Sequence, residues 1–399
     1  MKLTKEGHTL TNDGAWCFFA DPRAIYFEGN YKRTYIGWLT KNGDVVIGYY
    51  DHETNQIETN VIRENLQVDD HANPSLFMDE SGYITIFYSA HNGPDLFYKR
   101  SMERENISAW GKERSLDNNT IGNKGYTYPN PFRLKSENLT YLFWRGGNFK
   151  PTFATAKDGE NWTGAVTLIE GTGARPYVKY ASNQTDKIYF AFTDGHPNEE
   201  PTNSIYCAYY SNGAIYQPDG KRIKPVDQLP IAPTDVNKIY DASDTGKKAW
   251  IWDIALDENE HPVIVYVIFH SEKDHRYWYA RWNGTKWLNH EITAAGPWFP
   301  QTPPGKKETE TYYSGGIILD HNNPSTVYLS NKLNGYFEIE KWETNDMGKS
   351  WTMEPITRNS GVDNVRPIVS RGAASQVFWL QGTYIHYTNY DTKIKFLKD

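Results

Sequence analysis

The chain has 399 residues, 15% aromatic and 23% charged, with a mean hydropathy of -0.71. That balance excludes disorder, and no stretch approaches the roughly 18 apolar residues a spanning helix needs. A net charge of -7 argues against a nucleic-acid backbone or an anionic membrane as partner, because both select a basic footprint, so an acidic ligand must meet a local basic site.

The N-terminal segment MKLTKEGHTLTND lacks the apolar stretch of a signal peptide, so secretion or a periplasmic location is expected only if a signal has been removed, and the cytoplasm otherwise. Two cysteines, Cys17 and Cys207, cannot build a disulfide framework. From Ala20 onward one pattern recurs: a polar residue and often a proline, a short apolar strand, a turn of Asp, Asn, Gly or Ser, then an aromatic-rich strand ending in another polar residue. Copies begin at Ala20, Asp70, Thr127, Ala174, Ala249, Tyr312 and Arg366. Most are followed by one or two further alternating strands, as in SIYCAYYSNGAIY from Ser204, which makes about four strands and about 57 residues per unit. Period-two runs are common and long helical stripes are not. The prediction is all-β: a seven-bladed β-propeller, residues 1–399 forming one domain, and a monomer. The fragment TNDMGKSW, Thr344 to Trp351, matches the Asp-box hairpin of sialidase-like propellers, with Asp346 expected to shape a turn and take no part in catalysis.

The repeat also aims its polar residues. The first two strands of a blade are antiparallel and joined by a short hairpin, so the start of the first and the end of the second share one rim. Those positions hold His71 and His91 in the second copy, Tyr128 and Arg145 in the third, and Arg175 and His196 in the fourth; later copies add His270, Tyr313 and Arg366. In an acidic protein this is a local anion site. A 4-linked uronic acid is cleaved without water by β-elimination when a cation neutralises the C6 carboxylate, a base takes the C5 proton and an acid protonates the departing O4. Arginine suits the first task because its planar fork binds carboxylate bidentately. Histidine, and tyrosine with its pKa lowered by an adjacent cation, suit the others. His71, His91, Tyr128 and Arg145 are therefore the expected catalytic set, with no cofactor required. Asn73, Asn130, Arg175, Tyr313 and Arg366 are expected to bind substrate.

DDHANPSLFMDESGYITIFYSAH, TYPNPFRLKSENLTYLFWRGGN and RPYVKYASNQTDKIYFAFTDGHP resemble the BNR-4 repeat family. That family includes propeller polysaccharide lyases acting on ulvan, and a related lyase acting on rhamnosyl-glucuronate ends of arabinogalactan or gum arabic. The resemblance implies a lyase with two histidines one hairpin apart followed by a Tyr and an Arg one hairpin apart, matched here by the same four residues, and an acidic polysaccharide as partner. It also implies a structural metal site, zinc or calcium, for which His196, Cys207 and His275 are the candidate ligands; a fourth is not evident, although structural zinc normally takes four. The choice between ulvan and arabinogalactan, endo or exo cutting, and which of His71, His91 and Tyr128 is the base all stay open. A noncatalytic glycan-binding propeller and a sialidase-like hydrolase are the alternatives, since a fold hosts many functions.

Overall fold

In the computed structural model, which describes residues 7–398 apart from 117–118, 124, 172 and 174, seven antiparallel sheets follow one another along the chain. They run from Ala24–Glu28 to Ile57–Arg63, Ser75–Met78 to Arg114–Ser115, Thr127–Leu134 to Val166–Thr167, Val178–Ser182 to Lys238–Tyr240, Ala249–Leu256 to Trp287–Gly296, Ile317–Leu319 to Thr352–Pro355, and Asp363–Val369 to Asn389–Phe396. These are blades one to seven of a β-propeller, one for each sequence copy. Ala174, where the fourth copy begins, lies outside the described residues. Blade four departs from four strands: Ala214–Tyr216, Arg222–Pro225 and Lys238–Tyr240 extend it to six. The ring is closed by the N-terminal strand His8–Thr11, which pairs with Asn389–Phe396 (His8 opposite Phe396) as the outer strand of blade seven. Among the described residues no helix is long and apolar enough to cross a membrane.

The second strands of the blades are buried along both faces, as in Leu139–Arg145 and Lys187–Thr193, because each blade is sandwiched between neighbours. Aromatic residues fill those seams. Tyr141, Phe143 and Phe153 of blade three pack with Tyr180, Phe190 and Phe192 of blade four, and removing one such ring costs about 3–5 kcal/mol. The Asp box is structural, as expected: Asp346 Oδ1 accepts the Ser350 N–H at 2.9 Å, and Trp351 sets its ring edge-on against Tyr279 at 5.2 Å.

The central channel is filled by the segment AWCFFAD, Ala15 to Asp21, which contacts residues in five blades and just before the other two. Ala15 exchanges backbone hydrogen bonds with Leu39 of blade one at 2.8 and 3.0 Å. The Cys17 N–H donates to Asn73 Oδ1 (3.0 Å) just before blade two, and Asn130 of blade three accepts the Asp21 N–H (3.2 Å) and donates to the Phe19 carbonyl (3.1 Å). Lys179 of blade four binds the Phe18 carbonyl and Asp21. Phe18 stacks on Trp252 of blade five at 4.1 Å and meets Tyr313, before blade six, edge-on at 6.4 Å. Arg366 of blade seven donates to the Trp16 carbonyl at 2.7 Å, and the Trp16 indole N–H returns a bond to the Arg366 carbonyl at 3.1 Å. Both expected substrate-binding asparagines thus bond this plug, Asn73 through its amide oxygen and Asn130 through both ends of its amide. Asn73 is 0% exposed, which corrects its assignment to the cleft, whereas Asn130 also lines the pocket beside Tyr128, Arg145 and Tyr177.

Candidate active site

With the channel plugged, the rim residues form the floor and walls of a cleft at one mouth. His71 lies in a 3-10 turn, Asp70–Ala72, capped by Asp69, whose Oδ1 accepts from the His71 backbone at 3.0 Å and from its Nδ1 at 2.6 Å. The other oxygen, Oδ2, accepts from His91 Nδ1 at 2.8 Å. One carboxylate therefore holds both imidazoles, which stack at 4.4 Å with 15° between their planes. Arg145, the last residue of Leu139–Arg145, brings Nη2 to 3.0 Å from His91 Nε2 and 3.1 Å from Asn92 Oδ1, and Nη1 to 3.1 Å from the Tyr177 hydroxyl. Its guanidinium lies 4.9 Å from the Tyr128 ring centre. Tyr313 completes the row with its hydroxyl 3.1 Å from His71 Nε2.

Two of these side chains are aimed by strained backbone. Tyr128 has φ +62° and Arg366 φ +51°, in the left-handed region that L-residues rarely adopt. In each case the strand register slips at that point, between Thr127 and Asn130 and between Val365 and Ile368, and a proline follows. At Tyr128 the bulge turns the ring toward the mouth while the strand continues beneath it; at Arg366 it turns the guanidinium onto Asp70 and the plug.

The two histidines are electrostatically unlike. Burial opposes a charge on His71, but the Cys17 sulfur and the Asp69 carboxylate outweigh it and lift His71 well above the ordinary range. Burial, together with the His71 cation, pushes His91 down to about 4. At neutral pH His71 is an imidazolium donating to Asp69 and Tyr313, while His91 is neutral, donating from Nδ1 to Asp69 and offering Nε2 to Arg145, the only tautomer that fits both partners. Asp69 is held well below the usual carboxylate range: burial works against its charge, and the two histidines overcome it. Tyr128 reverses the sequence-based expectation. Burial and the nearby Tyr177 raise it well above 10 despite Arg145, so its hydroxyl keeps its proton.

The structure brings His71, His91, Tyr128, Arg145 and Tyr313 together and leaves the other expected residues apart. Arg366 sits beneath Tyr313, fully buried, donating to Asp70 and to the plug, with the rings of Phe299 and Tyr384 4.9 Å from its guanidinium. It braces the floor. Arg175 is committed to Glu199 in a partly exposed ion pair. His270 is partly exposed and is not one of the cleft contacts.

The implied metal trio does not fit. His196 packs its ring on Trp250 at 4.7 Å and accepts the Asn198 N–H at Nδ1, and burial holds it neutral, down to about 3. Cys207 lies mid-strand opposite Ala191, its thiol pushed up by burial. His275 bonds Ser314 Oγ at 2.8 Å. Among the described residues, the His, Cys, Asp and Glu groups whose ligand atoms converge within 4.8 Å are Cys17, Asp70, His71 and Asp69, His71, His91; the expected trio is not one of them.

The chain belongs to the BNR repeat-containing family, whose model matches residues 33–295. No curated protein matches it. Among solved structures it is similar to a polysaccharide lyase of family PL25, an ulvan lyase bound to -[GlcA(1-4)Rha3S]-, at 16% identity and TM-score 0.73, covering 98% of this chain and 95% of that one. It is also similar to polysaccharide lyase Uly1, at 12% identity and TM-score 0.63, covering 99% and 98%. At these identities the likeness shows a shared fold.

Proposed function

We propose that this protein is a polysaccharide lyase that breaks the rhamnose to 4-linked glucuronate bond by β-elimination. The observation that carries the reading is the geometry of the cluster: one Asp69 carboxylate holds two stacked imidazoles, with the Arg145 guanidinium on His91 and the Tyr128 ring beside it. The uronate carboxylate replaces the His91 contact on Arg145, whose fork neutralises it, and the His71 cation adds to the positive field. The freed His91 Nε2 takes the C5 proton. The electron pair of that C–H bond forms the C4–C5 double bond, the C4–O4 bond breaks, and Tyr128 gives its proton to the departing oxygen. Atoms balance without water. Asp69 keeps the imidazoles oriented through one carboxylate, much as the third member of a triad orients its histidine. Support also comes from the fold shared with ulvan lyases, one of them bound to a glucuronate–rhamnose unit.

The test is incubation with a panel of uronate polysaccharides, followed by ultraviolet absorbance. Elimination creates a conjugated double bond and the signal rises as chains shorten. New reducing ends without absorbance would make the protein a hydrolase, and binding with neither would make it a lectin.

A further inference from the structure

The hairpin that joins Leu139–Arg145 to Pro151–Ala156 in blade three has the sequence GGNFK, and its tip is strained beside Arg145. Its shape is fixed from within: the Gly146 N–H donates to the Lys150 carbonyl at 2.8 Å, the Phe149 N–H to the Gly146 carbonyl at 2.9 Å, and the Lys150 N–H to Asn148 Oδ1 at 3.0 Å. This turn puts Phe149 at φ +62°. The left-handed region is costly for most side chains, least so for asparagine, and glycine adopts it freely. The hairpin at Asn334 and Gly335 fills its left-handed positions with those two types. Here a bulky, partly exposed aromatic residue takes the position, as Tyr128 does in the same blade.

The place of the ring accounts for it. Its centre is 5.4 Å from the Arg145 guanidinium carbon and 5.5 Å from that of Arg175. With Tyr128 at 4.9 Å and Tyr177 at 5.8 Å, it completes a set of three rings about the Arg145 guanidinium. Hydrogen bonds hold the two terminal nitrogens, Nη1 to the Tyr177 hydroxyl and Nη2 to His91, Asn92 and Thr127, while Nε is buried without a partner. In the elimination scheme an entering carboxylate takes the His91 contact away. The ring contacts survive that exchange, because a cation over an aromatic face needs no acceptor that the substrate must displace.

We propose that Phe149 is a positioning residue for Arg145: its ring holds the guanidinium fork while the uronate carboxylate replaces His91, and the strained turn keeps the ring there. The proposal rests on the lyase reading and adds to it a residue that touches no reacting atom.

The experiment measures kcat and KM for release of unsaturated product from a glucuronate-containing polymer, with the wild type, Phe149→Gly, Phe149→Leu and Phe149→Tyr, and repeats Phe149→Gly in an Arg145→Ala background. Glycine suits the turn, so Phe149→Gly should melt within about 3 °C of the wild type; if it does not, the Leu and Tyr variants, which keep the strained backbone, decide. Phe149→Gly should lose about tenfold in kcat with KM changed by less than about threefold. Phe149→Leu, apolar but without an aromatic face, should lose nearly as much, and Phe149→Tyr should restore turnover. In the Arg145→Ala background Phe149→Gly should change nothing further, since the ring acts through Arg145. Full turnover in Phe149→Leu, a loss carried by KM alone, or an undiminished loss in the Arg145→Ala background overturns the proposal. If the wild type releases no unsaturated product, the lyase reading fails instead, and calorimetric affinity for a glucuronate oligosaccharide decides the positioning role. Phe149→Leu must then bind about fivefold more weakly than the wild type and Phe149→Tyr, and equal affinities or no binding overturn it.

Discussion

Two buried ionic clusters lie along the same plug, and they are finished differently. Deeper along the inner strands, Asp21 takes Arg23 Nε at 3.1 Å on one oxygen and Lys179 on the other, while Arg23 and Lys179 also bond the Cys17 and Phe18 carbonyls. No buried side-chain atom of these three residues lacks a partner. Burial opposes the Asp21 charge, yet Arg23, Lys179 and Arg371 hold its pKa below the usual range. Toward the mouth, by contrast, Arg145 Nε is buried without a partner, as are Nε and Nη2 of Arg366 in the floor beneath it. Burying a charge is costly unless its bonds are completed. The deep cluster completes them within the chain and locks the plug. The mouth and its floor leave donors of Arg145 and Arg366 unpaired.

The comparison makes opposite demands on mutants. The largest stability effect belongs to the deep cluster: Asp21→Ala strands Lys179 and Arg23 and should cost about 3–5 kcal/mol in denaturant unfolding. Arg145→Ala and Tyr128→Phe should instead lower turnover by about 10²–10³, with smaller changes in melting temperature, because what they lose is needed in the transition state. Asp69→Asn should lower turnover by roughly a hundredfold. It should also move the alkaline limb of the pH–rate profile downward, since the carboxylate that lifts His71 is gone. Smallest is Asn73→Ala, about 1 kcal/mol of stability with turnover retained; a collapse of turnover there would return Asn73 to the cleft.

The ring and half of the site were legible because both follow from local rules. A hairpin of fixed length places the start of one strand and the end of the next on one rim, which found His71, His91, Tyr128 and Arg145, and put Tyr313 beside them. The plug was not legible. Most of it, Ala15 to Phe19, precedes the first repeat copy, and its partners, Trp16 with Arg366 or Phe18 with Lys179, lie far apart in the chain. The second task of Asn130 was hidden too: the bulge at Tyr128 sends that ring to the mouth and lets the Asn130 amide bond the plug. Asp69 was visible as the first residue of Asp-Asp-His, but nothing in its spacing says that one carboxylate reaches two histidines from different turns. For Tyr128 the sequence shows a nearby cation but not the burial, and burial is the larger effect.

The central claim is that the mouth holds one charged and one neutral histidine on a shared carboxylate, and the pH dependence of kcat/KM for unsaturated-uronate release tests it most directly. His91 is pushed down to about 4, so as a base it is ready well below neutrality and activity should fall only as pH drops toward about 4. His71 is raised above its ordinary value, so its charge, and the activity that needs it, should be lost on the alkaline side. A profile whose acid limb sits between about pH 6 and about pH 7, the range of an unperturbed histidine base, and which shows no alkaline limb, would contradict the account.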